Sequence, residues 1–328
     1  MSFAEIIGHQ AQIETLRVAL AKNRLHHAYL FAGPEGVGKR TLALALVKAV
    51  HCTEMGSDSC GECVNCARIR DGNHPDVRLI EPLMGKKEIS IQQIREIERQ
   101  LNLRSFSGGK KIAILDPATL MNLSAQNALL KTLEEPPQDS LLILIAPTAG
   151  GLLPTLRSRC LRLSFAPLKR EHLFSYLLSK KGVKQEEAEF LSAMAVGSLG
   201  TALKIDSEEL REKRHNWMEL LSSLKAGDCR AAIAAAETLA HSRDDALKFL
   251  EWAESWYRDL LIHAISQDSA GLINRDMLAR IEDESPNVKL EHVLSSMAQT
   301  VEAAAEIQRN LNRRMVIENL LLKVVGER

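Results

Sequence analysis

Two clusters of residues in this chain of 328 amino acids have types and spacing that suit chemistry. The first is Gly33-Pro-Glu-Gly36-Val-Gly38-Lys39, which fits G-x-x-x-x-G-K. In such a loop backbone N–H groups point at phosphate oxygens, a helix N-terminus adds positive potential, and the lysine reaches the outer phosphates. A plain Gly-rich turn between strand and helix is the rival reading. The next position should carry a Ser or Thr hydroxyl for Mg²⁺ and instead carries Arg40. Thr41 follows, but at 3.6 residues per turn its hydroxyl points roughly 100° away. Ile112-Ala-Ile-Leu-Asp116 supplies an acid at a strand end, and Pro117 stands where a water-polarising Glu would be needed. Fast ATP hydrolysis is not expected at such a loop. Binding of ATP or ADP is a separate matter and stays open, since Arg40 could itself attract phosphates.

The second cluster is Cys52-x₇-Cys60-x₂-Cys63-x₂-Cys66. Zinc takes four thiolates tetrahedrally, and C-x₂-C turns suit that arrangement. An iron–sulfur cluster also uses closely spaced cysteines and is the alternative. No His or carboxylate obviously leaves a coordination position open, so a structural zinc is expected rather than a catalytic one. Cys160 and Cys229 stand apart, and Cys229 is expected as a small buried residue.

Something must position these groups. Through about residue 167, short apolar runs alternate with helical patterns, the signature of an α/β fold with a mainly parallel sheet. Strands are predicted at Tyr29–Ala32, Val77–Ile80, Ile112–Leu115, Leu141–Ala146 and Arg162–Ala166. The run Leu141–Ala146 has no polar alternation, as expected of a central strand covered on both faces. Ser90 and Gln93 form a capping box that opens a helix with Ile91, Ile94, Ile97 and Leu101 at helical spacing. A further helix runs from Ser124 to about Glu134 and is stopped by Pro136-Pro137. Residues 168–206 read as a small helical domain with a Gly-rich turn at Gly197–Gly200, and 207–328 as helical throughout. Ile307, Leu311, Met315, Ile317, Leu320, Leu321 and Val324 mark a long apolar face near the end.

Composition limits the function classes. Lys plus Arg (42) cancels Asp plus Glu (42), so no global field drives binding to nucleic acid or membrane. Aromatics at 4% argue against a surface of base-stacking platforms. The N-terminus lacks a basic stretch before an apolar one, and the strongest apolar run is far below the roughly 20 residues that span a bilayer. A cytoplasmic protein with no membrane partner is expected.

Three further stretches complete a pattern: Asn127-Ala-Leu-Leu-Lys-Thr-Leu-Glu-Glu-Pro-Pro137, Leu156-Arg-Ser-Arg-Cys160 and Asn312-Arg-Arg-Met-Val-Ile-Glu318. With the phosphate loop and the cysteine insert, they make the chain resemble the bacterial clamp-loader subunits of the AAA+ class, which serve DNA polymerase III in DNA replication. The resemblance runs over nearly the whole chain. It implies a RecA-like P-loop domain with a parallel sheet (1–167, with the zinc insert at 52–66), a small helical lid (168–206) and an all-α C-terminal collar (207–328). It implies as partners ATPase subunits of the gamma/tau type, a clamp-opening delta subunit, the sliding clamp and primer-template DNA, in a hetero-oligomeric ring of five subunits. It also casts Arg159 as an arginine finger offered in trans to a neighbour's ATP.

Relatives that hydrolyse ATP carry the Mg²⁺ Thr, an Asp-Glu pair and an Arg in the second domain's sensor stretch. Here Arg40, Asp116-Pro117 and Gly197-Ser-Leu-Gly200 stand instead, as in a subunit that has given up hydrolysis. No independent catalysis is then expected; the nucleotidyl transfer belongs to the assembly. The bland reading of Arg159 is a surface arginine closing a turn. Lys110-Lys111, Arg157 and Arg162 could form part of a basic ring facing DNA, although such clusters are usually just solvated. Two rival functions are an autonomous P-loop ATPase whose base is Glu134 or Glu135, and a zinc-dependent DNA-binding module.

Overall fold

A computed structural model describes residues 2–54, 56–225, 227–269 and 271–327. The chain divides into two compact units, one of residues 1–182 with 195–204, the other of 183–194 with 205–328.

The first unit is built on a five-stranded parallel sheet in the order β2-β3-β4-β1-β5. Its elements begin with α1 (Gln10–Ala21), β1 (Ala28–Ala32), α2 (Lys39–His51), α3 (Val64–Arg70), β2 (Val77–Ile80), α4 (Ile91–Leu101) and β3 (Lys111–Leu115). They continue with α5 (Leu123–Glu134), β4 (Ser140–Ala146), α6 (Pro154–Arg157) and β5 (Leu161–Ser164). Side chains alternate across the sheet. Tyr29, Phe31, Ile112 and Ile114 pack with Leu42 and Leu46 of α2 on one face, whereas Leu30, Ala113 and Leu115 pack with Ile94 of α4 and Leu129 of α5 on the other. With both faces covered, the strands can be apolar throughout. β4 is central and every residue of it is buried. The last strand ends at Ser164, two residues short of its predicted end.

The predicted capping box is present: the Gln93 N–H donates to Ser90 Oγ (3.4 Å) and the Ser90 N–H to Gln93 Oε1 (3.1 Å). The helices of the 168–206 stretch are α7 (Arg170–Lys181), α8 (Gln185–Met194) and α9 (Leu199–Ala202). α7 and α9 pack with the sheet-bearing unit, whereas α8 belongs to the other.

The second unit adds α10 (Ser207–Ser223), α11 (Cys229–Leu239), α12 (Arg243–Ser266), α13 (Leu278–Glu284), α14 (Leu290–Gln308) and α15 (Arg313–Glu327). Its core gathers Trp217, Phe249, Trp252 and Trp256 with Ile307, Ile317 and Leu321. The long apolar face predicted near the end is not continuous. The chain turns between α14 and α15, so Ile307, Ile317, Leu320, Leu321 and Val324 are buried while Leu311 (48%) and Met315 (65%) are exposed. Cys229 is also exposed rather than buried, because it opens α11 directly after its Asp228 cap. Among the described residues no helix is long and apolar enough to cross a membrane.

Candidate functional site

The phosphate-type loop joins β1 to α2 and is shaped by three glycines. A Cβ at Gly33 would lie 2.2 Å from the Phe165 carbonyl oxygen, and Gly36 and Gly38 take φ of +72° and +108°, where a side chain is strained. Gly36 also meets backbone from the α9 segment: the Gly200 N–H donates to the Gly36 carbonyl (2.8 Å). His9 Nε2 lies 2.8 Å from the carbonyl oxygen of Val37.

The loop's cations are engaged within the chain. Lys39 is buried, 6% exposed, and its Nζ donates to the carbonyls of Gly33 (2.6 Å) and Pro34 (2.5 Å). Burial lowers its pKa, against the pull of Asp116 and Glu35. Arg40 Nη1 lies 2.5 Å from Glu81 Oε1 and 3.6 Å from Asp116 Oδ2. A guanidinium therefore joins two carboxylates where the motif would have placed a metal-binding hydroxyl. Burial raises the Asp116 pKa, Arg40 opposes it and Glu81 reinforces it. Glu81 was not foreseen, because nothing in its spacing ties the end of β2 to Arg40.

The cysteine cluster is assembled from both sides of a turn. Cys52 caps the C-terminus of α2, Cys63 is the N-cap of α3, and Cys66 is buried in the first turn of α3. Gly61, at φ +81°, turns the chain between Cys60 and Cys63. The four Sγ atoms all lie within 4.8 Å of one another, Cys60 and Cys66 at 4.0 Å. Four thiolates about 2.3 Å from one zinc are spaced at about 3.8 Å, so the donor set fits the ion. Backbone N–H groups of Cys60, Glu62 and Cys63 point at these sulfurs, the first at Cys52 Sγ (3.3 Å) and the other two at Cys60 Sγ (3.5 and 3.3 Å). Asp58 anchors the insert by accepting from the Phe3 N–H (2.9 Å) and from Arg17 (3.2 Å).

Arg159 follows α6 on the turn that leads into the edge strand β5. Its Nη1 donates to the Thr155 carbonyl (2.9 Å) and its Nη2 pairs with Glu134 at the end of α5 (2.7 Å). Neighbouring Cys160 is half-buried, and burial pushes its thiol up to about 12. Of the proposed basic ring, Lys111 is turned inward against Asp76 (3.5 Å) and Lys110 toward Asp139 (3.5 Å). Asp76 is a second residue that spacing did not reveal. Its buried carboxylate accepts from Ser105 Oγ, the Phe106 N–H, and both the N–H and Oγ of Ser107.

The Asn312–Glu318 stretch closes α15 onto α11. Asn312 Oδ1 accepts from the Arg314 N–H (3.0 Å), Arg313 donates to the carbonyls of Ala240 and His241, and Arg314 pairs with Glu318 and Glu237. These residues satisfy helix ends and so hold the second unit together.

The parallel sheet, the loop between β1 and α2 and the helical second unit define an AAA+ P-loop protein. The family model described as "DNA polymerase III, delta subunit" matches residues 8–169, and its C-terminal counterpart matches residues 208–325. The chain belongs to the DNA polymerase III subunit delta′ family. It is 33% identical over 306 residues to subunit delta′ of Pseudomonas aeruginosa, covering 90% of this chain and 91% of that one. To the delta′ of Bacillus subtilis it is 30% identical, covering 93% and 92%. A gamma-subunit-related protein of DNA polymerase III from Thermotoga maritima superposes with a TM-score of 0.42 at 19% identity, covering 97% of this chain and 99% of that one.

Proposed function

We propose that this chain is the delta′ subunit of a DNA polymerase III clamp loader, a cytoplasmic component of DNA replication that does not hydrolyse ATP. It acts on ATP held by a neighbouring subunit. Arg159 serves as the finger: its rigid, always-charged fork matches the charge that develops on a transferring γ-phosphoryl group. The partners are gamma/tau-type ATPase subunits, a delta subunit, the sliding clamp and, through the ring of five, primer-template DNA. The four cysteines hold one structural Zn²⁺. The 168–206 segment is the lid and 207–328 the collar through which the ring assembles.

The observation that carries this reading is the state of the chain's own loop. Arg40 is paired with Glu81 and Asp116, Pro117 follows the strand-end acid, and Lys39 faces loop carbonyls. Glu134, the candidate base of an autonomous ATPase, is instead paired with Arg159.

The test is reconstitution of the ring with its ATPase subunits, with clamp and primed DNA, comparing wild type and Arg159→Ala. The isolated chain is expected to show no turnover, the ring strong turnover, and the variant ring a loss of about 10³-fold or more. Equal rates in both rings would reduce Arg159 to a structural residue. Turnover by the isolated chain, abolished by Lys39→Ala, would establish the autonomous ATPase.

A further inference from the structure

We infer that Glu134 is a positioning residue that holds Arg159 and competes for it with a neighbour's nucleotide; this rests on the arginine-finger reading above. Three observations carry it. First, the two exposed ends of the guanidinium fork are held by different elements, Nη1 by the Thr155 carbonyl of α6 (2.9 Å) and Nη2 by the Glu134 carboxylate of α5 (2.7 Å). The side chain is thus folded back on its own subunit. Second, Glu134 is the last residue of α5, where unpaired carbonyls create negative potential. A carboxylate there is unfavourably placed alone, and the arginine offsets it. Third, the pair is open to solvent, with the Arg159 side chain 35% and the Glu134 side chain 51% exposed, so the ion pair can exchange without disturbing the core.

A γ-phosphate needs the same N–H donors that Glu134 now engages. Delivery of the finger is therefore an exchange of one oxyanion for another on one guanidinium. The Thr155 contact is to a neutral carbonyl and gives way more readily than the carboxylate, because it lacks the attraction between opposite charges. Glu134 sets how much of the finger is free before a nucleotide arrives. It does not touch the reacting atoms.

The expected signature is a change in apparent affinity with little change in maximal rate. In the reconstituted ring, Glu134→Gln keeps the side-chain shape and removes the competing charge. The ATP concentration for half-maximal turnover should fall, by about fivefold at most for an exposed ion pair, while kcat stays within about twofold. Arg159→Ala and the double variant Glu134→Gln/Arg159→Ala complete the cycle. Identical behaviour of the Arg159→Ala single and the double variant supports a role exercised through Arg159. An effect of Glu134→Gln that persists in the absence of Arg159 overturns it. So does an unchanged or raised half-maximal ATP in the Glu134→Gln single variant, and there a large loss with Arg159→Ala shows that the finger reading survives while the competition fails. A full rate with Arg159→Ala removes both.

Discussion

The phosphate-type loop and the cysteine cluster flank the same helix, α2, and each gathers reactive groups around a glycine turn. They differ in what those groups can do for one another. In the loop, opposite and complementary partners are at hand: the Lys39 ammonium meets two carbonyls and the Arg40 guanidinium meets two carboxylates. The four thiols meet one another and backbone N–H groups instead. Sulfur is a weak acceptor and a weak donor, so contacts at 3.3 to 4.0 Å hold the cluster only weakly. Burial pushes the Cys66 thiol up, so a metal bound there must displace its proton. A closed set of polar groups stands without a ligand, and an open set calls for one.

Removing the metal is the largest expected effect. Purified chain should carry one zinc, and Cys66→Ala should lose it, since structural zinc contributes roughly 10–16 kcal/mol in small peptides at neutral pH. Elemental analysis and amide exchange over residues 52–70 measure both; an unchanged exchange pattern without metal would erase the contrast between the two regions.

Asp76 is a further closed set of polar groups, outside the loop, and the most severe test of such a set. Asp76→Ala leaves the largely buried Lys111 without its carboxylate and three loop residues without their acceptor, which should cost about 3–5 kcal/mol by denaturant unfolding. Its carboxyl has a lowered pKa: burial pushes up, and the hydrogen bonds from Ser107, Phe106 and Ser105 together outweigh it. A lowered folded-state pKa means stability that is present above the unfolded value near 4 and lost as pH falls below it. Wild type should therefore weaken below about pH 4 more steeply than Asp76→Asn.

Lys39→Ala unpairs the Gly33 and Pro34 carbonyls, for an expected loss of about 1–3 kcal/mol, and should leave ring-stimulated turnover unchanged. A collapse of turnover would show that the loop holds a nucleotide after all. The smallest effect belongs to Arg40→Thr. Its close ion pair, with Glu81, is exposed and its contact with the more buried Asp116 is long at 3.6 Å, so stability should change by about 1 kcal/mol or less, and hydrolysis should not appear in the isolated chain because Pro117 remains.

Much of this was legible along the chain. The short run after Pro75 placed β2 from Val77 to Ile80, and the unbroken apolar run Leu141–Ala146 fell in a strand covered on both faces, because such runs are local properties of the chain. The capping box at Ser90 and the stop at Pro136 are equally local. The cysteines also declared themselves, since metal ligands on adjacent turns must be close in sequence. The apolar face read through Leu311 and Met315 failed for a reason that spacing alone does not carry: the turn after Gln308 rotates α15 relative to α14, and helical phase is lost across it.

The amino-acid sequence by itself determined which groups exist and which local elements carry them: the P-loop residues, the missing hydroxyl at Arg40, the missing acid at Pro117, and the four thiols. Only the tertiary structure decided who meets whom. That Arg40 reaches Glu81 41 residues away, that Asp76 organises residues 105–107, and that Glu134 holds Arg159 follow from the crossing of chain segments in the sheet and its flanking helices. Electrostatic partners act over a few ångströms, and a distance in sequence of tens of residues says nothing of that scale until the strands are paired.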